Sequence, residues 1–127
     1  MCLTRLTLLL VVSLCIINFS GCSEDHGTLI VSKYNQASTE ICDVLNSIDN
    51  EKSAKEAIPK LKSLAEKFTQ AKNEFLKCQK DNPGFEQKYL QESLSIMKEW
   101  GEALASFNTN QNISVETREQ VMKILSL

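Results

Sequence analysis

The chain has 127 residues, of which 24% are charged, and its 16 acidic residues slightly outnumber its 14 basic ones. A surface that binds nucleic acid normally carries clustered positive charge, whereas here the basic residues are interleaved with acidic ones. Composition therefore argues against a nucleic-acid partner, and the length suits one domain rather than two.

The first 21 residues differ in kind from the rest. They carry one charged side chain, Arg5, followed by an apolar run from Leu6 to Phe19 (LTLLLVVSLCIINF). A helix needs about 20 apolar residues to cross a bilayer, whereas the shorter run has the length of the hydrophobic part of a secretory signal peptide. A buried core helix is the alternative, and the N-terminal position favours the signal peptide. We therefore predict that residues 1–21 are a leader removed on export.

The leader ends in two small residues, Ser20 and Gly21, and Cys22 follows directly. This resembles the lipobox of bacterial lipoproteins, in which cleavage falls before the cysteine, here between Gly21 and Cys22, and lipid is attached to the cysteine sulfur. Phe19 departs from the pattern, since leucine is usual there. The resemblance implies a membrane anchor on Cys22, because each buried methylene of an acyl chain adds about 0.8 kcal/mol to membrane binding. Ordinary cleavage near Gly21, leaving Cys22 as a plain thiol, is the alternative.

Residues 22–27 are predicted to be the lipidated cysteine and a short polar tether, and residues 28–127 a single helical domain. The extended tether reaches roughly 17 Å, which would hold the domain close to the membrane. Resemblance to enterobacterial lipoproteins implies an outer-membrane location, if the cell has such a membrane, because Ser23 rather than aspartate follows the cysteine. The predicted location is the cell envelope, facing the periplasm or the exterior.

Apolar spacing predicts two helices in the first half of the domain, each with a single stripe in steps of 3 and 4. The first stripe consists of Ile30, Tyr34, Ala37, Ile41, Val44 and Ile48. Ser53, with Glu56 three residues later, has the form of a capping box and predicts the start of the second helix. The second stripe consists of Ala54, Ala57, Leu61, Leu64, Phe68, Ala71, Phe75 and Cys78. Pro59 is predicted to bend the first turns of this helix.

Two further helices are predicted after the turn-forming segment 81–84. The third runs from about Phe85 to Phe107, and its wide apolar face consists of Tyr89, Leu90, Leu94, Ile96, Met97, Trp100, Ala103, Leu104 and Phe107. Ser114 is predicted to cap a short last helix with Val115, Met122 and Leu125 as its apolar residues. Short loops make neighbouring helices antiparallel. The predicted fold is therefore all-α, an antiparallel hairpin or three-helix up-down-up bundle with a short fourth C-terminal helix.

Five cysteines occur, and export as predicted would leave three of them. Cys2 and Cys15 would leave with the leader, and Cys22 would carry lipid. Cys42 and Cys78 form an even pair in an oxidising compartment, which is a setting for a disulfide. In a straight hairpin they lie roughly 30 Å apart along the bundle at 1.5 Å per residue, whereas a disulfide needs Cα atoms within about 7 Å. Both are therefore predicted to be small core residues, and only a sharp bend in the second helix leaves the bridge open.

Candidates for catalysis or cofactor binding are few. His26 is the only histidine, and a zinc site needs three or four ligands in fixed geometry. It is also poorly placed, in a tether, to serve as the base of a nucleophile. The sequence contains no haem-attachment motif, no Glu-x-x-His signature of di-iron bundles and no glycine-rich phosphate loop. We predict no metal, no cofactor and no enzymatic activity.

Trp100 is the one candidate interface residue, since tryptophan is enriched among residues that dominate binding energy. It shares the apolar stripe of the third helix with Ile96 and Phe107, which favours a core role. An interface role stays open.

The stretch from Ser53 to Leu64 (SAKEAIPKLKSL), with Val44-Leu45 and Ile48 before it, resembles a segment of small secreted helical proteins from planctomycete-type bacteria. The resemblance covers a limited part of the chain. Those proteins generally have no assigned function, so it implies a secreted helical protein and transfers no site residues.

Together these patterns predict a membrane-anchored envelope lipoprotein whose helical bundle or coiled coil is a non-enzymatic protein-interaction or structural module. Its predicted partners are the membrane, through lipid, and another envelope protein. The alternative is a bundle that binds a small ligand or cofactor, which the wide apolar face of the third helix would favour.

Overall fold

A computed structural model describes residues 24–126. Within this range the chain forms four helices: α1 (Glu24–Asn46), α2 (Glu51–Asp81), α3 (Phe85–Thr109) and α4 (Val115–Leu125). The described range contains no strand, and the all-α prediction is confirmed. The predicted leader, cleavage site and anchor cysteine lie outside the described residues.

The three long helices run up, down and up, as predicted. α1 packs closely along both α2 and α3, whereas the backbones of α2 and α3 approach each other at few points. Two hydrogen bonds mark the parallel course of α1 and α3: the hydroxyls of Thr28 and Tyr89 lie 3.0 Å apart, and Asn35 Nδ2 donates to Glu92 Oε2 at 3.3 Å. The short α4 packs on α2. α1 is therefore the central helix of the three.

Both predicted apolar stripes form the core. All members of the α1 stripe are buried except the half-buried Tyr34, and all members of the α2 stripe are buried except the half-buried Ala57 and Phe75. Ile41 and Leu61 are fully enclosed. Burying one such side chain stabilises the fold by about 1.5–3 kcal/mol, so these regular stripes supply much of the driving force for folding.

Two helices begin earlier than the sequence predicts. α1 starts at Glu24, so most of the predicted tether is helical rather than extended. α2 is capped by Asn50 and not by Ser53, because the Asn50 side chain accepts from the backbone N–H groups of Lys52 and Ser53 at 3.0 Å. Ser53 returns a bond by accepting from the Asn50 N–H at 3.1 Å. Asparagine and serine are comparable N-caps, and the capping box is therefore shifted three residues upstream.

The remaining boundaries match the prediction closely. α2 continues through Pro59, which is exposed. The Ser114 hydroxyl accepts from the Thr117 N–H at 3.2 Å and so caps α4 as predicted. Of the apolar residues predicted for α4, Leu125 is buried, Met122 is half-buried and Val115 is exposed. Val115 belongs to the first turn and contributes little to the core.

The two core cysteines differ in their bonding state. Cys42 is buried and free, which confirms that it does not bridge to Cys78. Cys78 is also buried, but it is disulfide-bonded.

Candidate functional site: an open aromatic groove between α2 and α3

The seam between α2 and α3 contains a groove of about 170 Å³. The backbones of α2 and α3 approach each other at few points, and both helices pack closely on α1. The floor of the groove is therefore formed by α1 and its walls by the other two helices. The lining residues, named here the α2–α3 groove, are Tyr34, Ser38, Phe68, Ile96, Met97 and Trp100. Five of the six present apolar or aromatic surface.

The aromatic walls of the groove belong to a continuous chain of six rings. Its successive centroids lie 5.0–5.5 Å apart, in the order Trp100, Phe68, Tyr34, Phe75, Phe85 and Tyr89. Offset or tilted aromatic pairs at this spacing contribute about 0.5–1.5 kcal/mol each beyond their buried area. The chain links α1, α2 and α3, so the groove has a rigid wall rather than a flexible one.

The two hydroxyl groups in the groove, those of Ser38 and Tyr34, are bonded to the backbone or partly shielded from water. The Ser38 hydroxyl donates to the Tyr34 carbonyl at 2.9 Å, within α1. Burial raises the pKa of the Tyr34 phenol, since the charged phenolate loses hydration there. Neither group is arranged as a nucleophile or a base, and the groove is suited to apolar contacts.

The outer side of α3 next to the groove is apolar and exposed. Leu90 is 42% exposed, Leu94 51% and Met97 66%. The wide apolar face predicted for the third helix is therefore divided into two separate faces in the structure. One packs on the core through Phe85, Tyr89, Ala103 and Phe107, and the other is uncovered within the described part of the protein.

A second, more polar depression lies on the opposite side of α3, against α1. Its volume is about 370 Å³, and it is lined by Thr28, Val31, Ser32, Asn35, Gln36, Thr39, Tyr89 and Glu92. Asn35 Oδ1 is buried there and accepts no hydrogen bond from any described residue. An unsatisfied buried acceptor costs stability, and this depression is therefore imperfectly packed.

Glu51 joins the N-terminus of α2 to that of α4. Its carboxylate accepts from the Ser114 N–H at 2.8 Å and from the Thr117 hydroxyl at 2.7 Å, and pairs with Lys55 Nζ at 2.9 Å. These bonds, led by that from the Ser114 backbone, lower the pKa of Glu51 to about 2. We name Glu51, Lys55, Ser114 and Thr117 the Glu51 cluster. Sequence reasoning recognised Ser114 as a cap but missed the acid that spans the two helices.

The residues singled out from sequence are distributed as follows. Trp100 is half-buried, packs against the main core and forms one wall of the groove. His26 is exposed on the first turn of α1. Gly21 and Cys22 lie outside the described residues. Among the described residues, His26 is therefore not one of those that line the groove with Trp100.

Among residues 24–126, no group of three or more histidine, cysteine, aspartate or glutamate side chains is arranged to hold a metal ion. No helix in the same range is long and apolar enough to cross a membrane.

The fold and groove define a small, open helical bundle with an exposed apolar seam. Comparison of the chain with protein-family models, with curated proteins and with solved structures gave no match.

Proposed function

We propose that the protein is an exported lipoprotein whose helical bundle is a non-enzymatic interaction module of the cell envelope. The observation that carries this proposal is the order of segments at the N-terminus: one positive charge, the apolar run from Leu6 to Phe19, and Ser20-Gly21-Cys22. In this proposal residues 1–21 are removed and lipid on Cys22 holds the bundle at a membrane.

The position of α1 supports a short connection between lipid and bundle. α1 begins at Glu24, two residues after Cys22. A folded domain attached this closely would lie against the membrane surface. Its N-terminal end, where Thr28 and Tyr89 meet, would face the lipid.

The size of the α2–α3 groove supports protein recognition over ligand binding. Pockets for small organic ligands usually enclose about 300–1,000 Å³, whereas this groove has about 170 Å³ and opens onto the exposed side of α3. Such a shape accommodates one or two side chains from a helix of another protein, which is a common mode of helix recognition. Trp100 and Ile96, which line the groove, would be the main contacts.

One experiment tests the proposal. The full chain is expressed in a bacterial host with labelled palmitate and purified, and the mass of its N-terminal peptide is determined. The lipoprotein proposal predicts label on the protein and loss of residues 1–21.

Matched variants show which cysteine carries the lipid. Cys22→Ser is expected to abolish the label, whereas Cys42→Ala is expected to retain it, since Cys42 is a free core residue. Equal label in the wild type and in Cys22→Ser would refute the lipoprotein proposal. Retention of residues 1–21 in the purified protein would also refute it.

A further inference from the structure

The exposed side of α3 carries a second stripe that the bundle does not use. It consists of Gln87, Leu90, Leu94, Met97, Gly101, Ala105 and Asn108, which we name the outer α3 face; all seven are exposed. Their steps of 3 and 4 place them on one side of the helix. From Leu90 to Ala105 this face is about 22 Å long at 1.5 Å per residue.

The outer α3 face carries no charge. Charged residues make up 24% of the whole chain, and none of these seven is charged. Depletion of charge with exposed leucine and methionine is the composition of an interface centre rather than of a solvated helix face. A strongly acidic or basic partner would find no complementary charge here. A second uncharged face could pack against it without leaving a charge unpaired.

Gly101 is the least expected residue of this face. It lies in the interior of α3, where glycine is less favourable than alanine, and a Cβ added there would meet nothing within 4 Å. The fold of the described chain therefore gives no packing reason for glycine. A residue without a side chain on an exposed helix face permits the close approach of another helix.

The order of large and small residues makes the face complementary to itself. If two α3 helices pack antiparallel about a two-fold axis near Met97, Leu94 of one copy meets Gly101 of the second copy. Leu90 then meets Ala105, Gln87 meets Asn108, and Met97 meets its own equivalent at the axis. Large residues oppose small ones and amides oppose amides, which is the self-complementarity that a two-fold interface requires.

We propose that the protein forms a homodimer in which the outer α3 faces of two copies pack antiparallel across a two-fold axis at Met97. One helix pair of this length buries less than the roughly 1,200 Å² of total area below which specific complexes are weak. The dimer is therefore reversible, and it places the two α2–α3 grooves on either side of the axis because Met97 belongs to both surfaces.

Cysteine crosslinking in intact cells traps such a dimer. In the full chain, Met97→Cys places two thiols at the axis, whereas Ser95→Cys, at a position that is also exposed but lies on another side of α3, places them apart. Mild oxidation is expected to convert Met97→Cys to a reducible dimer at least fivefold more than Ser95→Cys or the wild type. The wild type also measures the background from its own cysteines.

A charged residue placed on the outer α3 face tests the same geometry in a second way. Adding Leu94→Glu to Met97→Cys is expected to lower the dimer yield at least fivefold, while Ser95→Glu in the same background leaves it unchanged. Circular dichroism of the Leu94→Glu protein verifies that the monomer still folds, as expected for a residue that is 51% exposed.

The proposal is overturned if Met97→Cys yields no more dimer than Ser95→Cys, if Leu94→Glu leaves the yield unchanged in a folded protein, or if Met97→Cys crosslinks to a different protein instead. None of these results depends on whether Cys22 is lipidated, so failure of the dimer and failure of the lipoprotein proposal are separately visible.

Discussion

The carboxylate of Glu51 accepts a hydrogen bond from the backbone N–H of Ser114 at 2.8 Å, across 63 residues of sequence. Glu51 lies in the first turn of α2, and Ser114 is the N-cap of α4. One negative charge is thus shared by two helix N-termini, where the helix dipoles favour an anion. This contact, with the packing of α4 on α2, closes the end of the bundle remote from the start of α1.

The Glu51 cluster predicts a loss of stability in acid. The pKa of Glu51 in the folded protein is about 2, below its ordinary value of 4.5. A lowered pKa stabilises the fold above the ordinary value, and this contribution is lost as pH falls from about 4.5 through about 2. Thermal unfolding followed by circular dichroism should show a melting temperature that declines across this window.

Glu51→Gln is expected to lower the melting temperature at pH 7 and to flatten its decline between pH 4.5 and 2. Glu56→Gln is the matched control, because Glu56 is an exposed acid on the same helix whose recorded contact is a surface ion pair with Lys52 at 3.9 Å. A decline of unchanged slope in Glu51→Gln would show that other acids cause the acid sensitivity.

Leu61→Ala is expected to destabilise the fold by about 2–5 kcal/mol, the range for removing a fully buried leucine and leaving a cavity. Leu61 is completely enclosed, in the main core to which all four helices contribute. Urea unfolding monitored by circular dichroism measures the change. Leu76→Ala, on the same helix but 49% exposed, should cost far less, and equal losses would contradict the described core.

Asn35→Leu is expected to stabilise the protein, by on the order of 1 kcal/mol, because it removes a buried acceptor that has no described donor. The amide loses only an exposed bond to Glu92 at 3.3 Å. Urea unfolding of Asn35→Leu beside Asn35→Ala separates removal of the acceptor from loss of packing. A destabilised Asn35→Leu would indicate that Oδ1 has a partner, such as a bound water.

Two glycines on helices predict opposite effects of the same substitution. At Gly27 an added Cβ would lie 2.7 Å from Cε2 of the buried Phe85 ring, so Gly27→Ala is expected to cost about 1–3 kcal/mol through overpacking. At Gly101 the added Cβ meets nothing, and Gly101→Ala should raise monomer stability by up to about 1 kcal/mol. Thermal unfolding at low protein concentration compares the two, and a stabilising Gly27→Ala would contradict the packing of α1 on α3.

Much of the fold was predictable because it depends on local periodicity. Steps of 3 and 4 between apolar residues identify the buried side of α1 and α2, and the segment 81–84 and Ser114 mark a turn and a cap. The cap of α2 was misassigned because Asn50 and Ser53 are equally good candidates by residue type. Their hydrogen bonds decide between them, and these depend on backbone geometry.

The candidate surfaces were less predictable. The sequence identifies Trp100 and a wide apolar face on α3, but it does not divide that face between core and solvent. The division depends on where α2 and α4 lie relative to α3, since α2 leaves Met97 exposed while the main core encloses Phe107. The role of Glu51 was invisible for the same reason, because its partners are 63 and 66 residues away.

Residue order alone therefore determines the helical class, the approximate helix ends and the distinct apolar character of the N-terminal segment. Helix periodicity, capping and hydropathy act over a few neighbouring residues, so they can be identified from the sequence. Tertiary packing decides the open α2–α3 groove, the uncovered outer α3 face and the Glu51 cluster. These features arise where helices distant in sequence approach or fail to approach each other, and such distances are set by the whole bundle rather than by any one segment.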